Sequence, residues 1–101
     1  MHYLLFYDYV PDIAERRGPH RAAHLGYARE AVDRGELVLG GAFANPLDGA
    51  ALLFNADSPA VVERYATSDP YVVNGLVSRW RVREWTTVVG KDAQVALPPT
   101  A

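Results

Sequence analysis

The stretch ELVLGGAFANPLDGAALLFN, residues 36–55, decides the fold of this chain. Two apolar runs of strand length, 36–44 and 50–55, flank a cluster of turn-forming residues at 45–49. Such a pattern is typical of a β-hairpin, because Asn, Pro, Asp and Gly adopt the backbone angles of tight turns. The stretch therefore predicts two antiparallel strands in the middle of the chain.

A helix and a strand are predicted on each side of this hairpin. Pro19, Pro59 and Pro70 mark helix starts, since proline has no N–H and is tolerated in a first turn. Gly35 and Gly75 mark helix ends, where a left-handed residue is common. The predicted elements are a strand over 3–9, a helix over 19–34, strands over 36–44 and 50–55, a helix over 58–67, a short helix over 70–74 and a strand over 76–89.

The order β-α-β-β-α-β predicts an α+β, ferredoxin-like fold. In this fold an antiparallel sheet of four strands carries its two main helices on one face. The charged stretch 12–18 is predicted to be an irregular loop. We predict a single domain over residues 1–90 and a C-terminal tail over 91–101, which contains Pro98-Pro99 and has no periodicity.

Composition excludes several classes of protein. The chain has 101 residues, 50% of them hydrophobic, a formal net charge of -2 and no cysteine. Without cysteine there is no disulfide framework and no thiolate nucleophile. Because there is no basic excess and no long apolar run, we expect neither a nucleic acid partner nor a membrane partner. The sequence predicts a soluble, cytoplasmic protein.

The predicted strands are apolar on both sides, which bears on assembly. In the first strand Tyr3, Leu5 and Tyr7 share one side, and Leu4 and Phe6 share the other. Two helices can cover only one face of the sheet. When the other face is exposed to water, polar residues normally alternate with apolar residues along each strand. We therefore predict a homodimer in which a second copy covers the other face.

His24 is the first candidate for chemistry. His20 and His24 share a helix face, but two histidines do not complete a metal site and no HExxH pattern is present, so no metal is expected. His24 borders the apolar stripe of its helix, where a histidine is often satisfied by a backbone carbonyl. The alternative is a general acid/base, because imidazole exchanges protons near neutral pH.

Asp69 is the best carboxylate to orient such a histidine. On spacing alone it is an N-cap for the short helix that begins at Pro70. Its second oxygen could still bind His24, so the two roles are compatible. From the residues alone, both alternatives stay open.

Three arginines and several tyrosines are further candidates. Arg79, Arg81 and Arg83 alternate on the last strand, where they form either a solvated face or a site for an anionic or phenolic ligand. The tyrosines, Tyr71 among them, either stack on a ligand ring or belong to the core. There is no nucleotide-binding loop and no nucleophile elbow, so no cofactor is expected.

Five segments taken together resemble the YCII-related domain family, over about residues 1–90. They are HRAAHL at 20–25, GELVLGG at 35–41, ADSP at 56–59, DPY at 69–71 with Gly75-Leu76 after it, and REW at 83–85. The resemblance implies a dimeric α/β barrel, in which two ferredoxin-like sheets face each other. Members include dehydrochlorinase-like enzymes that act on hydroxylated aromatics, and the fold resembles that of muconolactone isomerase.

The resemblance also implies a site. His24 and Asp69 match the family's proposed catalytic pair, and Arg21 and Gly41 match positions beside its cleft. We predict that Arg21 and Gly41 bind substrate together with Tyr71 and Arg81. The family's usual prolines are replaced by alanines at positions 22 and 42, which affects a helix start and a strand end rather than the pair.

Three functions follow from these observations. The first is a cofactor-independent lyase or isomerase that uses His24 and Asp69 on a small cyclic or aromatic metabolite. It predicts that the two side chains lie within hydrogen-bond reach beside a pocket. The alternatives are a non-catalytic small-ligand binding or regulatory dimer, and a structural dimer with a filled cleft. A quinone-type monooxygenase is disfavoured by the arginine row.

Overall fold

A computed structural model describes residues 1–96, and this part of the chain forms one antiparallel sheet with its helices. The strands pair in the order β2-β3-β1-β4, which is the ferredoxin-like topology that the sequence predicts. The elements are β1 (His2–Tyr9), α1 (Ile13–Arg16), α2 (Gly18–Asp33), β2 (Leu37–Ala42), β3 (Gly49–Asn55), α3 (Pro59–Ser68), α4 (Pro70–Val73) and β4 (Val77–Trp85).

Helix α1 is a difference from the predicted fold. The segment 12–18 was expected to be irregular, but Ile13–Arg16 forms one helical turn. Its buried apolar residue is Ile13, and Arg16 forms an ion pair of 3.6 Å with Asp12 one turn earlier, which supports the turn. The turn places Arg17 at the start of α2.

Strand β4 is shorter than predicted, ending at Trp85 rather than at Val89. The reason is its partner: Trp85 lies opposite His2, where β1 begins, and the backbone of Met1 bonds to Ala56 instead of continuing this ladder. The chain then turns back, and the amide of Val95 donates to the carbonyl of Thr87 at 3.0 Å. Of the predicted tail, residues 97–101 with Pro98-Pro99 lie outside the described residues.

The core lies between the sheet and the helices. Tyr3, Leu5 and Tyr7 of β1 are almost fully buried on this side, and Leu52 and Phe54 of β3 pack beside them. Gly35 and Gly75 end α2 and α4 with φ angles of +78° and +75°, as their sequence positions predict.

The opposite sheet face is partly apolar and carries no helix within the described residues. Leu4 and Phe6 of β1 and Leu53 of β3 are half-buried there. The same face carries Arg81, whose guanidinium lies 4.7 Å from the centre of the Phe6 ring. No helix of residues 1–96 is both long enough and apolar enough to cross a membrane.

Candidate active site

Asp69 is fully buried at the junction of α3 and α4. It is the C-cap residue of α3 and the N-cap residue of α4, and its backbone is extended. Its Oδ1 atom accepts a hydrogen bond of 3.0 Å from the amide of Tyr71, as a capping aspartate does. This hydrogen bond from the backbone holds the carboxylate in place independently of its side-chain contacts.

His24 lies in the middle of α2 and reaches across to this carboxylate. Its Nδ1 atom is 2.7 Å from Oδ1 of Asp69. Because a carboxylate can only accept, this contact requires the proton on Nδ1 and leaves Nε2 as the imidazole nitrogen not engaged by Asp69. The side chain of His24 is 14% exposed, so the pair is largely shielded from water.

Tyr71 fixes the plane of the imidazole. The two rings are parallel within 5°, with centroids 3.7 Å apart. Tyr9 in turn contacts Tyr71 edge-on, with centroids 6.2 Å apart. Burial, followed by the neighbouring Tyr71 and Asp69, raises the pKa of Tyr9 to about 12, and burial raises the pKa of Tyr71 as well. Both phenols are therefore neutral around His24 near neutral pH.

Tyr7 is one of the tyrosines for which the sequence left ring stacking and core packing open, and its contact with Asp69 was not predicted. Its hydroxyl donates a hydrogen bond of 2.7 Å to Oδ2 of Asp69. Burial, followed by the negative charge of Asp69, raises the pKa of Tyr7 far above its usual value, so the phenol keeps its proton. In the sequence Tyr7 is one of three alternating apolar residues of β1, and no local pattern distinguishes it from Tyr3.

A cavity of about 420 Å³ lies beside the pair, between α2 and strands β2 and β3. Its middle is apolar, formed by Leu25, Ala28 and Leu52 among others. At the end that holds His24 and Tyr71, its wall includes Arg17 and Arg21. The cavity is large enough for a single substituted ring.

The predicted site residues separate into two groups. Arg21, His24, Gly41 and Tyr71 line the cavity, with Asp69 directly behind His24. Arg81 lies on the opposite face of the sheet, against Phe6, and is not part of the cavity wall. The structure therefore does not bring Arg81 together with the other predicted residues, because its position on β4 pairs with a residue that faces away from the helices.

Metal coordination finds no support in the described part of the chain. Within residues 1–96 there is no group of three or more His, Asp or Glu side chains placed to hold a metal ion. The chemistry that this arrangement offers is proton exchange at the imidazole of His24. The carboxylate of Asp69 accepts from Nδ1 of that ring and leaves Nε2 free of this contact.

Known proteins share this sequence pattern and fold. The model of the YCII-related domain family matches residues 1–86. No curated protein matches the sequence at a significant level. A similar solved structure is the 5-chloro-2-hydroxyhydroquinone dehydrochlorinase TftG from Burkholderia phenoliruptrix AC1100, in complex with 2,5-dihydroxybenzoquinone. It has 24% identity and a TM-score of 0.75, over 93% of this chain and 100% of that chain.

A second similar structure is protein Atu4242 from Agrobacterium tumefaciens. It has 11% identity and a TM-score of 0.53, and the match covers 95% of this chain and 100% of that one. At these identities both structures support the fold.

Proposed function

We propose that this chain, which belongs to the YCII-related domain family, is a cofactor-independent lyase or isomerase acting on a small cyclic or aromatic metabolite. One observation carries the proposal: Nδ1 of His24 lies 2.7 Å from Oδ1 of Asp69, and the same histidine lines a cavity. A merely structural histidine would not need both a buried carboxylate and access to a cavity.

The proposed mechanism is proton transfer through His24. Nε2 takes a proton from a ring carbon or hydroxyl of the substrate. Nδ1 keeps its own proton and continues to donate it in the hydrogen bond to Asp69. The carboxylate stabilises the imidazolium, which then returns the proton to another atom or to a leaving group. Such general acid/base catalysis typically contributes about 10²–10⁴-fold, enough for a substrate whose proton is already acidic.

Hydroxylated rings are the first compounds to examine. The apolar middle of the cavity fits a flat ring body, and its volume of about 420 Å³ suits one ring with small substituents. The similar dehydrochlorinase TftG is described in complex with 2,5-dihydroxybenzoquinone, which is a ring of this kind. Carrying that ligand class over to this chain is part of the proposal.

A homodimer is part of the same proposal. The sheet face without helices presents Leu4, Phe6 and Leu53, and β2 adds Leu39, which is 71% exposed. Water contact with these side chains is unfavourable, by about 25 cal/mol for each Å² of apolar surface. A second copy that packs its own sheet on this face removes that surface from water on both chains.

A non-catalytic ligand-binding dimer is the alternative. It is favoured by the apolar lining of Leu25, Ala28 and Leu52, which supplies binding surface but takes no part in proton transfer. In that case the cavity binds a small molecule and releases it unchanged.

A turnover screen separates the two functions. Hydroxylated aromatics and lactones are incubated at neutral pH without cofactor, and their ultraviolet spectra are followed with wild type, His24→Gln and Asp69→Asn. We expect turnover that falls by about 10²–10⁴-fold in both variants. The matched control is His20→Gln, one turn earlier on α2 and outside the cavity wall. Binding without turnover supports the alternative, and full turnover by His24→Gln contradicts the mechanism.

A further inference from the structure

We propose that the ligand of this cavity is an anion, and that Arg17 and Arg21 bind its carboxylate or ionised hydroxyl group. This proposal rests on the proposed function for its identification of the cavity as the active site. It adds a chemical class to the substrate, and it assigns a binding role to Arg17, a residue that has no role in the sequence prediction.

The first observation is the position of the two arginines. Arg17 is the N-cap residue of α2 and Arg21 follows one turn later, so the two side chains share a face of the helix. Both line the cavity at the end that holds His24 and Tyr71. Arg29 lines the same cavity two turns further on, roughly 12 Å along the helix axis at 1.5 Å per residue.

The second observation is that these charges are not compensated within the protein. Across residues 1–96, the ion pairs of arginine join Arg16 to Asp12 and Arg34 to Glu36, and neither Arg17 nor Arg21 forms one. The chain as a whole carries a net charge of -2, so carboxylates are in excess elsewhere. Most other arginines of residues 1–96 also form no ion pair, so what distinguishes Arg17 and Arg21 is that both line the same end of the cavity.

The start of α2 adds to this positive charge. Its first turn contains no acidic residue and no side chain caps it. A helix start carries a partial positive charge, which Asp, Glu or a capping oxygen balances in many helices. At this start Pro19 has no N–H and the amide of His20 donates to the carbonyl of Arg17 at 3.0 Å, so α2 contributes through its dipole rather than through free amides.

The positive charges of the two guanidinium groups act on the neighbouring phenols. Burial raises the pKa of Tyr71, and the positive charges of Arg17 and Arg21 oppose this rise. The charge of Arg17 likewise opposes the rise at Tyr9. Because Tyr71 stacks on His24, an anion bound at these arginines would lie next to the imidazole.

This placement suits the chemistry of His24. Guanidinium groups bind carboxylates and phenolates through paired N–H donors, which orients the ring that carries the anion. When a proton moves from the ring to Nε2, its bonding electrons remain on the substrate as negative charge. The same guanidinium groups stabilise that charge.

A pair of ligands of similar shape, one anionic and one neutral, tests the proposal. Binding of 4-hydroxybenzoate and of 4-hydroxybenzamide is measured by calorimetry at pH 7 and low salt. We expect the benzoate to bind about ten- to a hundredfold more tightly, as charge-assisted hydrogen bonds predict. In Arg17→Gln with Arg21→Gln this preference is expected to disappear, whereas the control Arg64→Gln, on the exposed side of α3, keeps it.

Two results would overturn the proposal. One is equal affinity for the two ligands, or no binding of the benzoate, by folded wild type. The other is a benzoate preference that survives in the double variant. His24→Gln separates this proposal from the catalytic one: if it binds benzoate preferentially and wild type turns nothing over, the anion site stands and the acid/base mechanism fails.

Discussion

Tyr7 and His24 bind the two different oxygens of one buried carboxylate: the phenol donates to Oδ2 of Asp69 at 2.7 Å, and the imidazole contacts Oδ1 at 2.7 Å. With the amide of Tyr71, three donors surround a side chain that has no exposed surface. A carboxylate held in this way cannot rotate away from the imidazole without losing two other hydrogen bonds.

Replacing Tyr7 with phenylalanine removes one of these donors and leaves a buried oxygen unpaired. We expect the free energy of unfolding to fall by about 1–3 kcal/mol, the cost of an unsatisfied buried group. Urea denaturation followed by circular dichroism measures this loss. Tyr3→Phe is the matched control, because Tyr3 is buried on the same side of β1 and its hydroxyl makes no hydrogen bond to the rest of residues 1–96.

Asp69→Ser tests whether the carboxylate sets the tautomer of His24. Serine can still cap α4 by accepting from the amide of Tyr71, but its short side chain does not reach Nδ1. We expect the ring proton to lie on Nδ1 in wild type and to shift towards Nε2 in the variant. The ¹⁵N chemical shifts of the imidazole nitrogens report this change at fixed pH. If both proteins give the same shifts, the pair does not act as a dyad.

Alkaline pH is expected to destabilise the fold. Burial raises the pKa of Tyr9 to about 12, above the value of 10.0 of a free phenol. Between these two values the folded chain holds a proton that the unfolded chain has released, so the contribution of Tyr9 is full below pH 10 and is lost as pH rises towards 12. Burial raises the pKa of Tyr65 and Tyr27 in the same direction.

Urea midpoints measured from pH 8 to pH 11.5 should therefore fall steadily above about pH 10. Tyr9→Phe serves as the control, and its decline should be shallower because one of the titrating phenols is gone. A wild-type midpoint that stays constant over this range would contradict the burial of these tyrosines.

Leu53→Asp tests the proposed homodimer. Leu53 lies on the sheet face without helices, opposite Leu4, so a buried charge there should prevent a second sheet from packing. Light scattering is expected to give twice the 11.1 kDa chain mass for wild type and the single mass for the variant. The control is Val73→Asp on α4, a residue that is 67% exposed and distant from that face. A monomeric wild type would end the dimer proposal.

Gly49→Ala is expected to lower stability by about 1–3 kcal/mol, the usual range for overpacking. An added Cβ at Gly49 would collide with the backbone carbonyl of Tyr7, which cannot move without disturbing the β1–β3 ladder. Gly41→Ala is the matched control on the neighbouring strand, because a Cβ there meets no atom within 4 Å. Thermal unfolding compares the two, and equal melting temperatures would contradict this packing.

The topology was predictable because its signals are local. Turn residues at 45–49, prolines at helix starts and glycines such as Gly35 act within a few residues of where they stand. The end of β4 and the existence of α1 were not predictable, because they depend on where β1 begins and on the burial of Ile13. Both depend on tertiary contacts, which a short stretch of sequence does not contain.

The site was less accessible from the residues alone. His24 and Asp69 are 45 positions apart, and each has an ordinary local explanation, a helix histidine and a helix cap. From the residues alone the pair was one of two open alternatives, and the family resemblance favoured it. Tyr7 and Arg17 were missed because their roles exist only once β1 and α2 are packed against the junction at Asp69.

Asp69 makes two structural contacts at once: it caps α4 and it binds Nδ1 of His24. A chain of this fold without the proposed reaction would still gain from an aspartate here, because the start of α4 needs the same cap. An aspartate at this place in a related sequence is thus weak evidence for an enzyme. His24 caps no helix and contacts Asp69 and the ring of Tyr71. Under the proposed function, the loss of this histidine from a related sequence would therefore be the clearer sign that the chemistry is lost.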